Sequence, residues 1–224
     1  MVYVQDQAMK RISLRLTLAL LTLVMALGAI GRWLYVSVRP SLPGYSSLVE
    51  SEKSEEYAVY SALIRQSYLE DGVKTLVIQN RTLFYANPDY LKITTPEQRV
   101  EDMKRYCQSV DESALRDFES KHLHSSEVTP DFELPIKYIL VNKDDFEESS
   151  DEKARLVVHD FYRLYPDARG MIALSRVGFN EARDQAFLRV EFTFCPLCSH
   201  GGKVLLRKEW GKWKVVEEFG GWAS

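Results

Sequence analysis

The chain has 224 residues, 46% of them hydrophobic and 12% aromatic, with 29 Lys and Arg against 32 Asp and Glu and a formal net charge of -3. That content fits a folded unit rather than a disordered tail. The first 40 residues hold 5 basic residues and 1 acid, which leaves 24 basic and 31 acidic residues and a charge of -7 for the remainder. With no Lys or Arg stripe interleaved with aromatics, bulk electrostatics excludes a nucleic-acid binder.

Between Arg15 and Arg32 the sequence reads LTLALLTLVMALGAIG without a charge, and Trp33, Leu34, Tyr35, Val36 and Val38 extend the apolar run. A membrane-spanning helix needs roughly 20 mainly apolar residues, so residues 12–38 are expected to form a transmembrane anchor surrounded by membrane lipid. Lys10, Arg11 and Arg15 precede the run, while Arg32 and Arg39 follow it. This balance favours a cytoplasmic tail at 1–11 and a domain outside the cytoplasm. A cleaved signal peptide would place Ala26, Leu27 and Gly28 at its processing site, but the apolar run continues well past them.

Residues 39–53, with Pro43-Gly44 and several serines, read as a tether to an α+β domain at 54–224. Ser54 followed by Glu55 and Glu56 predicts the first helix, with Tyr57, Tyr60, Ile64 and Tyr68 on its apolar face and Asp71-Gly72 at its end. Leu76, Val77 and Ile78 predict a short strand. Asn80-Arg81-Thr82 is an N-glycosylation triplet, of consequence only for an exported chain. Thr95-Pro96-Glu97-Gln98 is a capping box with proline at the first helical position, and Ser109 with Glu112 predicts a second box before Ala114, Leu115 and Phe118. His122 and His124, with Glu119 or Glu127, match no recognised metal-site spacing and read as a solvated connection. A strand is predicted over 135–141.

Glu147 to Asp151 lacks the ligand pattern and central glycine of a calcium loop. Ser149 and Glu152 instead predict a third capping box, with Ala154, Val157, Phe161 and Leu164 on the buried face. His159 and Asp160 are adjacent in that helix, point about 100° apart, and so do not orient one another. Beyond Tyr165 the period becomes that of a sheet. Met171 to Val177 begins a strand, and the next alternates, with Leu188, Val190, Phe192 and Phe194 on one face and Arg189, Glu191 and Thr193 on the other. Helices are expected on the first face and water on the second. Val204 and Leu206, then Trp213 and Val215 across the Glu209-Trp210-Gly211 turn, complete a four-stranded antiparallel meander. The expected architecture is this meander packed on several helices, of the cone-shaped NTF2-like or cystatin-like type.

The segment Tyr165 to Gly170, the LSRVGFN string from Leu174 to Asn180, and the GKWKV ending from Gly211 to Val215 resemble a motif series in uncharacterised bacterial exported or membrane-anchored proteins. The resemblance spans roughly residues 155 to 217. It implies export and a hairpin topology, and it carries no mechanism. Within the string, Arg176 shares the parity of Leu174, so a strand end or bulge is needed to release it. Gly178 and Asn180 favour a turn just beyond. Arg176 and Asn180 are therefore ligand-binding or structural residues, with an ion pair to a carboxylate and a bond to local backbone as the structural alternative.

Cys195-Pro196-Leu197-Cys198 suits a disulfide, a zinc knuckle or a redox pair. The motif follows a strand rather than opening a helix, and zinc lacks two further ligands. A local Cys195–Cys198 disulfide is therefore the expectation, with Cys107 reduced on its helix. No esterase elbow, metalloprotease motif, phosphate loop or dinucleotide fingerprint is present, and no catalytic residue, metal or cofactor is assigned. The sequence thus points to a membrane-anchored extracytoplasmic domain that binds a protein partner in the cell envelope through exposed aromatics such as Trp210 or Trp222. The alternatives are an exported hydrolase, a small-ligand binder, or a thiol-disulfide redox protein using Cys195 and Cys198.

Overall fold

In the computed structural model the described residues are 45–69, 72–85, 87–142, 161–195 and 198–223. They form helix α1 (Tyr45–Ser67), strand β1 (Thr75–Gln79), helices α2 (Pro88–Ile93), α3 (Pro96–Tyr106) and α4 (Glu112–Lys121), and strand β2 (Lys137–Val141). Strands β3 (Ala168–Leu174), β4 (Gly178–Phe179), β5 (Gln185–Cys195), β6 (Cys198–Glu209) and β7 (Lys212–Ala223) complete the order. The chain divides into residues 1–50 and 51–224. Of the first unit only the opening turns of α1 are described; the rest of α1, the other helices and the whole sheet belong to the second.

The strands make one open sheet in the order β2-β1-β3-β5-β6-β7, with the short β4 paired to β5. Strand β1 lies parallel to both β2 and β3, whereas β3, β5, β6 and β7 are antiparallel neighbours. The α+β class and the antiparallel run agree with expectation. The cone-shaped fold built on a meander alone is corrected, because β1 and β2 extend the sheet in parallel. Antiparallel partners adjacent in sequence announce themselves through short connections. Parallel ones are joined by long crossovers, and the buried centre of β1, Leu76 to Ile78, is a plain apolar run without a polar face to register it.

Both faces of the sheet are covered. Tyr57, Tyr60, Leu63 and Ile64 of α1 pack with Ile172, Leu188, Val190, Val204 and Leu206 on one face. On the other, Val100 and Met103 of α3 and Leu115 and Phe118 of α4 pack with Phe187 and Leu205. Phe161, in a helical stretch at 161–164, covers Val77 and Met171 at the β1 end. The second face is therefore covered by α3 and α4 around Phe187 and Leu205 rather than open along its whole length, and Arg189 keeps 34% of its side chain exposed. Arg189 lies beneath the α3–α4 layer, where it lines a space left between the layers.

Strand β7 changes faces along its length. Leu206 pairs with Val215 but Leu205 with Glu217, so Val216 is an extra residue, and a second irregularity separates the Lys203–Phe219 and Gly201–Trp222 pairs. A bulge shifts side-chain parity. Trp213 thus packs on the α1 side, while Phe219 packs with Leu205 on the α3–α4 side. Gly220 adopts φ +55 within the second irregularity, a conformation open to glycine at little cost.

The helix ends show which polar side chain wins a cap. Thr95 and Gln98 form the reciprocal box expected at α3. At α4 the cap is Asp111, whose carboxylate accepts from the Ser113 amide at 2.8 Å; Ser109 bonds Glu217 instead. Helix α1 begins at Tyr45, within the segment expected as a tether, and Asn87 caps α2.

No helix among the described residues is long and apolar enough to cross a membrane. The longest, α1, has 23 residues and carries Glu52, Lys53, Glu55 and Glu56. The expected anchor at 12–38 and the tail at 1–11 lie outside the described residues. The reading of a membrane-anchored extracytoplasmic protein is corrected to that of an α+β domain, and it is not carried further. The third capping box, the acidic run at 147–151, and His159 with Asp160 also lie outside the described residues.

Candidate functional site

The LSRVGFN string is a junction between layers. Arg176 Nε donates to both Glu56 oxygens at 2.9 and 3.0 Å, and the Val177 amide donates to Glu56 Oε1 at 2.7 Å. The Tyr60 hydroxyl lies 3.0 Å from that same carboxylate oxygen and 2.8 Å from the Ser175 carbonyl. Burial, reinforced by the Glu56 charge, holds the Tyr60 pKa well above its ordinary value. A Cβ on Gly178 would stand 2.4 Å from backbone atoms of Ala114 and Phe118, so only glycine lets β4 lie against α4. Asn180 accepts from the Asp184 and Gln185 amides at 3.0 and 2.8 Å and donates to Asp184 Oδ1 at 2.7 Å. Arg176 and Asn180 are thus both engaged within the fold.

Trp210 is 99% exposed at the β6–β7 turn, whereas Trp222 stands near the far end of the 12-residue β7. At the rise of an extended strand they are roughly 30 Å apart and do not share one patch. Cys195 and Cys198 pair in register at the β5–β6 connection. The Cys195 side chain lies outside the described residues. Cys198 is disulfide-bonded, and Cys107, buried after α3, is free. His122 is buried and His124 exposed, so the two do not converge.

A different site opens between α3–α4 and the sheet, a cavity of about 530 Å³. Its floor holds Arg189 of β5 and Lys203 of β6, directly paired across the two strands. Its roof includes Phe118 and His122 from α4 and the chain just after it. Arg189 donates to Glu191, two residues along its own strand. The Lys203 side chain has no hydrogen bond or ion pair among the described residues. Like charges directly opposite one another destabilise a sheet, more so away from bulk water. The floor therefore carries two cations against one carboxylate.

The acids around this floor are otherwise engaged. Arg99 Nε donates to Glu119 Oε1 at 2.5 Å, and the Tyr85 hydroxyl donates to Glu119 Oε2 at 2.8 Å. Arg99 also bonds the Thr94 carbonyl at 2.7 Å, so this buried pair is satisfied from within. Burial and the neighbouring Glu119 raise the Tyr85 pKa far above its usual value. Asp102 pairs with Arg105 at 3.2 Å.

His122 is 1% exposed, with its ring stacked on Phe118 at 4.7 Å and edge-on to Tyr85 at 4.6 Å. Its Nδ1 has no partner among the described residues. Burial first, then the charges of Arg189 and Lys203, lower its pKa to about 4, so the imidazole is neutral at pH 7. An unpartnered buried nitrogen beside two cations is a costly arrangement with no packing purpose.

Of this constellation the sequence marked Trp222 and weighed His122 only as a metal ligand. Arg189 was assigned to water by parity, and Lys203 was not singled out. The signal that marks them is the cross-strand pairing of like charges, legible once β5 and β6 are set in register with Gly201 opposite Glu191. The chain matches no family model and no curated protein.

Proposed function

We propose that this domain binds a small organic anion in the cavity between α3–α4 and the sheet. The observation that carries the reading is the opposed Arg189–Lys203 pair on the cavity floor, answered by one carboxylate, Glu191. A bound anion removes the repulsion and occupies the donors of Lys203 in charge-assisted hydrogen bonds. A volume of about 530 Å³ lies within the range of small-molecule sites. Among its described lining residues there is no Ser, Thr or Cys to serve as a nucleophile for His122, so the geometry supports recognition rather than covalent chemistry.

Calorimetric titration of the full chain with acetate, benzoate and inorganic phosphate tests this. Saturable binding of at least one anion is expected, weakened about tenfold or more by Lys203→Ala, in keeping with the loss of a charge-assisted hydrogen bond. Failure of all three to bind, or binding indifferent to Lys203, would overturn it.

A further inference from the structure

We propose that the ligand is an aromatic monocarboxylate, with its carboxylate on Lys203 and Arg189 and its ring in the cavity mouth between Tyr106 and Trp222. This rests on the anion-binding reading and names the ligand's class. Charge sets the first limit. Arg189, Lys203 and Glu191 sum to one net positive charge, which a monoanion neutralises and a phosphate dianion would exceed.

The mouth sets the second. Tyr106 ends α3 and is 80% exposed, Trp222 lies near the end of β7 and is 41% exposed, and both line the same cavity. One approaches from the helical layer and the other from the sheet. Behind them Tyr85 and Tyr90 stand with ring centroids 5.9 Å apart. Large aromatic side chains that line a cavity and stay open to solvent present ring faces and edges that an inserted ring can meet by offset or edge-on stacking. Beside Trp222 the cavity is bounded by the backbone of Gly220, where an added Cβ would meet nothing within 4 Å. The wall there leaves room for a flat group.

The site is therefore polar at its floor and aromatic at its entrance, a polarity that matches a ring bearing one terminal carboxylate. Acetate offers the carboxylate without the ring, and phosphate offers charge without either. Comparing the three separates the two halves of the site.

The test titrates the full chain with sodium benzoate, sodium acetate and inorganic phosphate at pH 7.5, followed by calorimetry. Benzoate is expected to bind at least about tenfold more tightly than acetate or phosphate, the difference being the buried ring. The double variant Tyr106→Ala/Trp222→Ala, at positions 80% and 41% exposed, is expected to keep a cooperative thermal transition and to lower benzoate affinity to that of acetate. Lys203→Ala is expected to weaken benzoate and acetate alike. If benzoate and acetate bind equally, if phosphate binds most tightly, or if benzoate affinity survives the double variant, the aromatic class is wrong while anion binding stands. If none of the three binds, both readings fall together.

Discussion

Arg189 and Lys203 face each other across β5 and β6, and Lys203 has no ion-pair partner among the described residues. Replacing Lys203 by Met removes the like-charge opposition and keeps most of the stem. The variant is expected to unfold at higher urea concentration, with a gain of about 0.5 kcal/mol, while losing anion binding. Equilibrium denaturation alongside benzoate titration checks both. A loss of stability would show that Lys203 contributes to packing rather than to a site.

His122 gives the domain a defined acid limb. Unfolded, the ring titrates near 6.5; folded, near 4. Between those values the unfolded chain binds a proton that the native state does not, so stability is intact above pH 6.5 and falls as pH drops. The loss from this residue reaches about 3 kcal/mol below pH 4. His122→Phe is expected to flatten that limb in denaturant melts taken from pH 7 to 4. Saturating benzoate should raise the pKa of the native ring and so shorten the wild-type limb from its acid end, because a bound anion offsets the two cations beside it.

Glu56 is the hub of the junction that joins α1 to the strand end after β3. Its replacement by Ala strands Arg176 and removes acceptors from the Val177 amide and the Tyr60 hydroxyl. A loss of about 3 kcal/mol is expected by chemical denaturation. Tyr60→Phe, which deletes one hydroxyl, should cost about 1 kcal/mol. Neither residue lines the cavity, so benzoate affinity of the folded fraction should be unchanged.

Gly178→Ala is expected to be costly for its size. The new methyl would meet the Ala114 carbonyl and the Phe118 amide, both backbone atoms of α4 that cannot swing aside. Separating β4 from α4 should cost about 3 kcal/mol, read as a lowered melting temperature. Ala at Gly211, where no atom would be met, tests a different term, since φ +78 there makes any loss one of backbone strain alone.

Local chemistry was legible in the sequence wherever few residues decide the outcome. The Thr95 box formed because its partners lie within one turn, and the β5 alternation emerged because adjacent antiparallel strands impose it. Ser109 was read as a cap from spacing alone, yet Glu217, over a hundred residues away, claims its hydroxyl, and Asp111 takes the position. The parallel strands β1 and β2 could not be placed because a buried run such as Leu76 to Ile78 lacks a polar face to set its neighbour. The cavity failed to appear for a related reason. Arg189 and Glu191 show the same period whether they face water or a space enclosed by helices, and only the placement of α3 and α4 distinguishes the two.

The irregular pairing of β7 gives that strand two masters. Its first half, through Trp213, is held by the α1 core, while its second half, through Phe219 and Trp222, frames the cavity mouth. Because β7 is an edge of the sheet, a residue gained or lost beyond Val216 re-registers the mouth against a single neighbour, β6, and leaves the inner half seated. Ligand preference in this fold can therefore drift by small insertions and deletions at one border, a route to new specificities that spares the foundations on which folding depends.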